Sequence, residues 1–371
     1  MSVVYLHAGT PKTGTTALQD FLPDNIAVLH RHGFDFPFVP CEFRGVAPGQ
    51  TAHFLATWEP GGANLPPEWD LGFSVMKESA ARYDNVIFSD EQLWWRQHKE
   101  GFWEEVMRRA SDMGVEIRVI VYLRRQDDQL ESFYNEKVKG MPKLTMTFSE
   151  YLSSGDNDYF PLDYASELDR FASYIGKDNL IVRVYEKNNF IGGNIFADFL
   201  DALGLKLTDE YTLPARHANT RWPERVVEVK RLVNRAASYH RRKVPNFYRT
   251  AIEEAYGIGT AREFPAQEYG MFSPEERRDF MKQYEEGNAR VARTWLNRPD
   301  GVLFSQEPED LPKWEPDFDE LIEDAVRVMG GADVLLYRQL DELKQQANAL
   351  ENGFLYRLYL KLRKMRAGRR Q

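Results

Sequence analysis

Residues Thr10-Pro11-Lys12-Thr13-Gly14-Thr15-Thr16 put one lysine, one glycine and four threonines into seven positions. They follow a short apolar run, Val3-Val4-Tyr5-Leu6, and precede a helical one, Ala17-Leu18-Gln19-Asp20-Phe21-Leu22. A strand, a Gly/Thr/Lys loop and a helix N-terminus together form an anion cradle. Backbone N–H groups, the positive end of the helix dipole and hydroxyl donors converge on one point. A ligand with phosphate-like oxygens is the expected occupant. Two further segments carry reactive side chains at the ends of apolar runs. One is Ser89-Asp90-Glu91-Gln92, and the other extends from Arg124 and Arg125 through Asp127 and Asp128 to Ser132.

A loop for nucleoside triphosphates reads G-x-x-x-x-G-K-[ST]. Gly9 and Gly14 have that separation, but Thr15 occupies the lysine position and the lysine stands earlier, at Lys12. Pro11, Lys12, Thr13, Gly14, Thr15 and Thr16 instead match P-K-[ST]-G-T-T at every position. This resembles the 5′-phosphosulfate loop of sulfotransferases that use 3′-phosphoadenosine-5′-phosphosulfate (PAPS). The resemblance implies a 3′-phosphate site made of an arginine at a strand end and a serine eight residues later, a spacing Arg124 and Ser132 have. Family members often place Asn-Pro after the arginine. Arg125-Gln126 stand here, which leaves Arg125 as an alternative or additional ligand, or as a partner of Asp127 or Asp128. The family's glycan-modifying branch uses a glutamate near a central strand end as base, which points to Glu91; its plainer role, and that of Asp90, is to cap the following helix. Lys12 would stabilise negative charge on the leaving oxygen, as in phosphoryl transfer. The transferred group carries less charge than a phosphoryl group, so no metal is expected to be required. Segment Phe272–Phe304, including Tyr284-Glu285-Glu286-Gly287-Asn288, looks like the C-terminal part of bacterial relatives and has no assigned chemistry. Arg216 and Arg221, flanking Asn219-Thr220, are candidates to cover the adenosine, or are surface arginines. Two other classes remain. A kinase or NTPase would use Asp90 and Glu91 on magnesium, and a non-catalytic relative would bind glycans or membranes.

The elements that must position these residues are legible as periodicity. Val3–Leu6, Asn85–Ser89, Val115–Leu123 and Leu180–Tyr185 read as strands. Helical patterns cover roughly 14–31, 72–83, 102–113, 126–139, 163–176 and 192–203. Val/Ile-rich strands alternating with helices predict an α/β fold, a doubly wound parallel sheet of about 4–5 strands. In such a sheet ligands bind beyond the C-terminal strand ends, so all three loaded segments should share one edge. Residues 1–205 are expected to form this core, with 37–67 as a long irregular loop. Helical segments 222–238, 247–256, 273–297 and 316–328 suggest that 206–330 is a helical extension. Residues 331–371 form a C-terminal helix and tail.

The chain has 371 residues, 43% hydrophobic, with a net charge of -9. The acidic balance argues against general nucleic-acid binding. Its only cysteine is Cys41, and its seven histidines show no zinc-ligand spacing. No apolar run approaches the ~20 residues of a membrane span. A strand starting at Val3 leaves no room for a signal peptide. These features make a cytoplasmic setting the expectation. Leu336, Leu340, Leu343, Ala347, Leu350 and Phe354 form a heptad stripe that either packs on the body or pairs with a second subunit as a homodimer. The last eighteen residues add seven basic groups (Arg357, Lys361, Arg363, Lys364, Arg366, Arg369, Arg370) and no acidic one. That pattern reads as a peripheral contact with the inner membrane face, or as a solvated end. A glycan or glycolipid acceptor is the implied partner, with Trp58, Trp69, Trp94, Trp95 and Trp103 as candidate stacking surfaces for sugar rings.

Overall fold

The computed structural model describes all residues except 41–46, 48, 60–65, 141–143, 155–160, 215–220, 240–245, 259–267, 307–309 and 353–371. Cys41, Arg216, Asn219, Thr220 and the basic tail lie outside the described residues. In order, the elements of the first part are β1 (Val3–His7), α1 (Thr15–Asp24), α2 (Ile26–Arg31), β2 (Phe34–Asp35), α3 (His53–Ala56), α4 (Pro67–Ala80) and β3 (Asn85–Ser89). Then follow α5 (Leu93–Arg96), α6 (Phe102–Met113), β4 (Glu116–Leu123), α7 (Gln126–Lys139), α8 (Phe148–Ser153), α9 (Tyr164–Ile175), β5 (Leu180–Val184) and α10 (Ile195–Ala202). Among the described residues, five helices follow: α11 (Glu224–Tyr239), α12 (Asn246–Ala255), α13 (Pro274–Lys282), α14 (Glu285–Trp295) and α15 (Phe318–Asn352).

The strands form one five-stranded sheet in the order β2-β3-β1-β4-β5, every pair parallel. The chain winds from β1 toward β3 on one side, then crosses to β4 and β5 on the other, so the fold is a doubly wound α/β sheet. Strand alternation sends Val4, Leu6, Val86, Phe88, Val119 and Val121 into one core with Phe54, Trp69, Trp94, Trp103 and Phe171. Tyr5, Ile87, Ile120 and Tyr122 point into a second core with Leu18, Phe21, Leu22 and Phe199. Burial on both faces is why the central strands read as continuous apolar runs. β2 escapes sequence detection because two residues give no periodicity. The pattern over 14–31 is broken at Asn25, whose side chain donates to the Phe21 and Thr212 carbonyls.

Two compact units result: Met1–Asn135, Phe148–Arg221 and Met271–Pro312 form one, and Glu136–Thr147, Trp222–Gly270 and Lys313–Gln371 form the other. In the first, α14 packs on α9. In the second, α15 packs on α12 and α11, and Arg225 pairs with Asp324 and Glu320. α15 runs unbroken through the break expected near 329–330 and joins the expected helix 316–328 to the C-terminal one. Gly330 and Gly331, which favour a stop, are carried through by the strong helix formers around them.

Close packing fixes one glycine in the sheet's first core. A Cβ on Gly72 of α4 would lie 2.2 Å from the Phe54 ring. Gly72→Ala is therefore expected to lower unfolding stability by about 1–3 kcal/mol, measured by denaturant titration.

Candidate active site

β1 ends at His7, in register with Ser89 of β3 and Ile120 of β4. The chain then follows β4 a little further, with the Ala8 and Thr10 amides donating to the Ile120 and Tyr122 carbonyls. Thr10 Oγ1 also donates to the Tyr122 carbonyl at 2.8 Å. There the backbone turns sharply: Lys12 has φ 68° and Gly14 φ 76°. A left-handed lysine costs roughly 1–2 kcal/mol, so the turn needs support. Thr13 Oγ1 donates to the Thr10 carbonyl (2.5 Å), Gln129 Nε2 to the Pro11 carbonyl (2.5 Å) and Arg124 Nη1 to the Lys12 carbonyl (3.1 Å). Gly9 and Gly14 have no room for a side chain. A Cβ at Gly9 would lie 2.8 Å from Thr15 Cγ2, and one at Gly14 would lie 2.6 Å from Ile195 Cδ1. Thr15 and Thr16 begin α1, and among the described residues no side chain caps its N-terminus. A helix start of this kind directs its first amides out of the helix, toward the loop.

The end of β3 lies beside this loop. Thr15 Oγ1 donates to Glu91 Oε2 at 2.6 Å. Asp90 is fully buried; its Oδ1 accepts the Gln92 amide (2.8 Å) and its Oδ2 meets His53 Nδ1 (2.7 Å). Ser89 Oγ accepts from Gln19 Nε2 (3.1 Å) and lies 2.9 Å from His7 Nδ1. His7 Nε2 lies under Gly9. Nε2 is buried and has no partner among the described residues. Burial lowers the His7 pKa to about 4.

Arg124 leaves the end of β4 with its carbonyl accepting from Tyr164 OH (2.7 Å) and its guanidinium 5.8 Å from the Tyr185 ring centre. On α7, Ser132 is one helical turn beyond Gln129, which contacts Pro11, so the two share a helix face; Ser132 is buried. Arg125 points elsewhere, in a two-pronged pair with Asp127 (2.8 and 2.6 Å). The structure therefore brings Pro11, Lys12, Thr13, Gly14, Thr15, Glu91 and Arg124 into one bonded cluster.

Several contributors were not legible from spacing. Arg277 of α13 bonds Asp127, Asp128 and Glu131, and Arg221 pairs with Glu131 at 2.8 Å. Arg221 is thus spent on a buried carboxylate. Burial works against charge on Asp128, but the guanidiniums of Arg124, Arg125 and Arg277 hold its carboxyl below the usual range. Asn288 exchanges amide hydrogen bonds with Gln126 (2.6 and 3.1 Å), giving a place to the Tyr284–Asn288 motif. Trp69, Trp94 and Trp103 are core side chains with essentially no exposure, which removes them as sugar-stacking surfaces. Trp58 and Trp95 are only partly buried. Among the described residues no group of three or more His, Cys, Asp or Glu is arranged to hold a metal ion. None of their helices is long and apolar enough to cross a membrane.

No family model matches the chain. An uncharacterized protein of Archaeoglobus fulgidus is 28% identical over 210 residues, covering 55% of this chain and 53% of its own length. The chain thus spans about half the length of that relative. A sulfotransferase crystal structure from Alicyclobacillus acidocaldarius aligns with 65% of this chain and 96% of its own, at 15% identity and a TM-score of 0.36. A TM-score of 0.36 defines no shared family, so function is read from this chain's own residues.

His7 gives the site a pH signature. An unfolded imidazole titrates near 6.5, whereas folded His7 titrates near 4. Between those values the unfolded chain binds the proton more readily, so stability should fall as pH drops through that window. His7→Gln is expected to flatten that part of the stability profile, followed by thermal melts from pH 7 to 4.

Proposed function

We propose that this chain is a sulfotransferase that takes a sulfuryl group from PAPS and passes it to a hydroxyl. The acceptor we favour is a sugar of a bacterial surface polysaccharide or glycolipid. The observation that carries the reading is the left-handed Lys12–Gly14 turn, opening onto the uncapped start of α1 and bonded to Arg124. Backbone amides, the Thr16 hydroxyl and a lysine suit the phosphosulfate end of such a nucleotide. An arginine at the end of the adjacent strand suits its 3′-phosphate, since a guanidinium can grip a dianion through two N–H groups. Ser132, on the helix face that carries Gln129, would add a further donor.

The donor supplies an activated sulfuryl group, and the residues do the rest. Lys12 stabilises negative charge growing on the leaving oxygen. The α1 amides and Thr16 bind the equatorial oxygens. Glu91, with one carboxylate oxygen held by Thr15, accepts the proton of the acceptor hydroxyl through the other. The transferred group carries less charge than a phosphoryl group, so these cations suffice in place of a metal clamp.

The test is a thermal-shift series with adenosine 3′,5′-bisphosphate, ATP and GTP, each with and without magnesium. The bisphosphate alone should stabilise the protein, by about 2.7 kcal/mol at a hundredfold excess over its Kd. Lys12→Ala and Arg124→Ala should abolish most of that shift. Glu91→Gln should retain it and lower transfer to a hydroxyl acceptor by roughly 10²-fold or more. Stronger, magnesium-dependent stabilisation by ATP would replace this reading with a kinase or NTPase.

A further inference from the structure

Helix α15 carries two apolar stripes. One faces its own unit through Leu321, Val328 and Ala332, all buried. The other lies about a quarter turn round the helix. Its residues are Ile322, Val326, Met329, Leu336, Leu340 and Leu343, each between 40% and 63% exposed. Asp333 stands in the gap between Met329 and Leu336, and Ala347, Leu350 and Phe354 continue the series in the sequence. Every step is then 4 or 3 residues in strict alternation, and the stripe begins well before the heptads visible from Leu336.

That regularity identifies the occupant. A stripe lying on a globular core follows the natural 3.6-residue turn, while a strict 3.5-residue repeat stays in line only with a second helix supercoiled around it. We propose that this stripe is a coiled-coil seam joining two copies of this chain in an antiparallel pair. The flanking Ala325, Gln339 and Gln346 are uncharged, so a second copy meets no like-charge row on that side. The six exposed side chains offer roughly 600 Å² per copy, so a pair buries about 1,200 Å², within the range of specific interfaces. A lipid surface fits poorly. Residues 318–352 carry eight acidic groups (Asp319, Glu320, Glu323, Asp324, Asp333, Asp341, Glu342, Glu351) against three basic ones (Arg327, Arg338, Lys344), a balance that repels anionic membranes along this helix, whereas the seven basic groups of the tail lie beyond it. Asp333 sets the orientation. Two parallel copies in register would press this carboxylate against the same residue of the second copy inside the seam. An antiparallel pair places it opposite an apolar side chain.

The proposal is independent of the activity proposed above and is tested on the full chain by sedimentation equilibrium at tens of micromolar. The wild type should be a dimer. The combined variant Leu336→Glu, Leu340→Glu, Leu343→Glu should be monomeric with an unchanged circular dichroism spectrum, because these positions are exposed. Asp333→Leu should tighten the dimer at least tenfold. In a Cys41→Ser background, a spin label at Glu323→Cys should report a separation of roughly 30 Å between copies, the length of the Ile322–Leu343 seam. A monomeric wild type, a dimer that survives the triple substitution, or no tightening by Asp333→Leu overturns the seam. So does capture of the wild type, but not the triple variant, by phosphatidylserine vesicles. A separation under about 20 Å overturns the antiparallel arrangement.

Discussion

The hydrogen bond from the Arg124 guanidinium to the Lys12 carbonyl ties the end of β4 to the loop after β1. The site depends on this tie because Lys12 is held in a backbone region that its own side chain disfavours. Together with the Thr13 and Gln129 hydrogen bonds, the tie holds the turn that leads into the start of α1. The same bond holds the Arg124 guanidinium against the Lys12 backbone. Parallel register makes it possible: His7, Ser89 and Ile120 lie abreast on three adjacent strands, so the segments that follow them emerge at one edge.

Behind Arg124 lies a set of charges whose cost and purpose differ. Asp127 and Glu131 are fully enclosed, and two carboxylates in that position would be untenable alone. Arg277, Arg125 and Arg221 neutralise them, and the Met271 and Phe272 amides complete the shell around Glu131. Such an arrangement is weak evidence for extra stability, because desolvating so many ions offsets their attraction. Its geometric effect is clearer. Asp127, Asp128 and Glu131 of α7 are clamped against a distant part of the chain, and Gln129 and Ser132 inherit that rigidity.

A second buried polar set sits at the base of the loop. Gln19 donates to Ser89, whose hydroxyl lies against His7 Nδ1, and His7 Nε2 lies beneath Gly9 without a partner among the described residues. An enclosed polar nitrogen of this kind costs free energy unless a hydrogen bond satisfies it. It stands where the loop backbone meets Thr15 of α1, and a neutral His7 keeps positive charge out of the core beneath the loop.

Local sequence determined what depends on short range. The Pro11–Thr16 run announced the loop, since glycine and threonine between a strand and a helix have few other arrangements. The Val/Ile runs announced a parallel sheet, because burial on both faces demands them. The positions of Lys12, Glu91 and Arg124 followed from their places at strand ends. Tertiary structure decided everything that joins residues far apart. Nothing in the spacing of Arg277 relates it to Asp127, or that of Asn288 to Gln126, because each pair is matched by packing across some 150 residues of chain. Packing also turned three tryptophans inward and assigned Arg221 to Glu131. On α15 only burial could separate the stripe that faces its own unit from the one left exposed, since both consist of the same kinds of residue and differ only in what lies beside them.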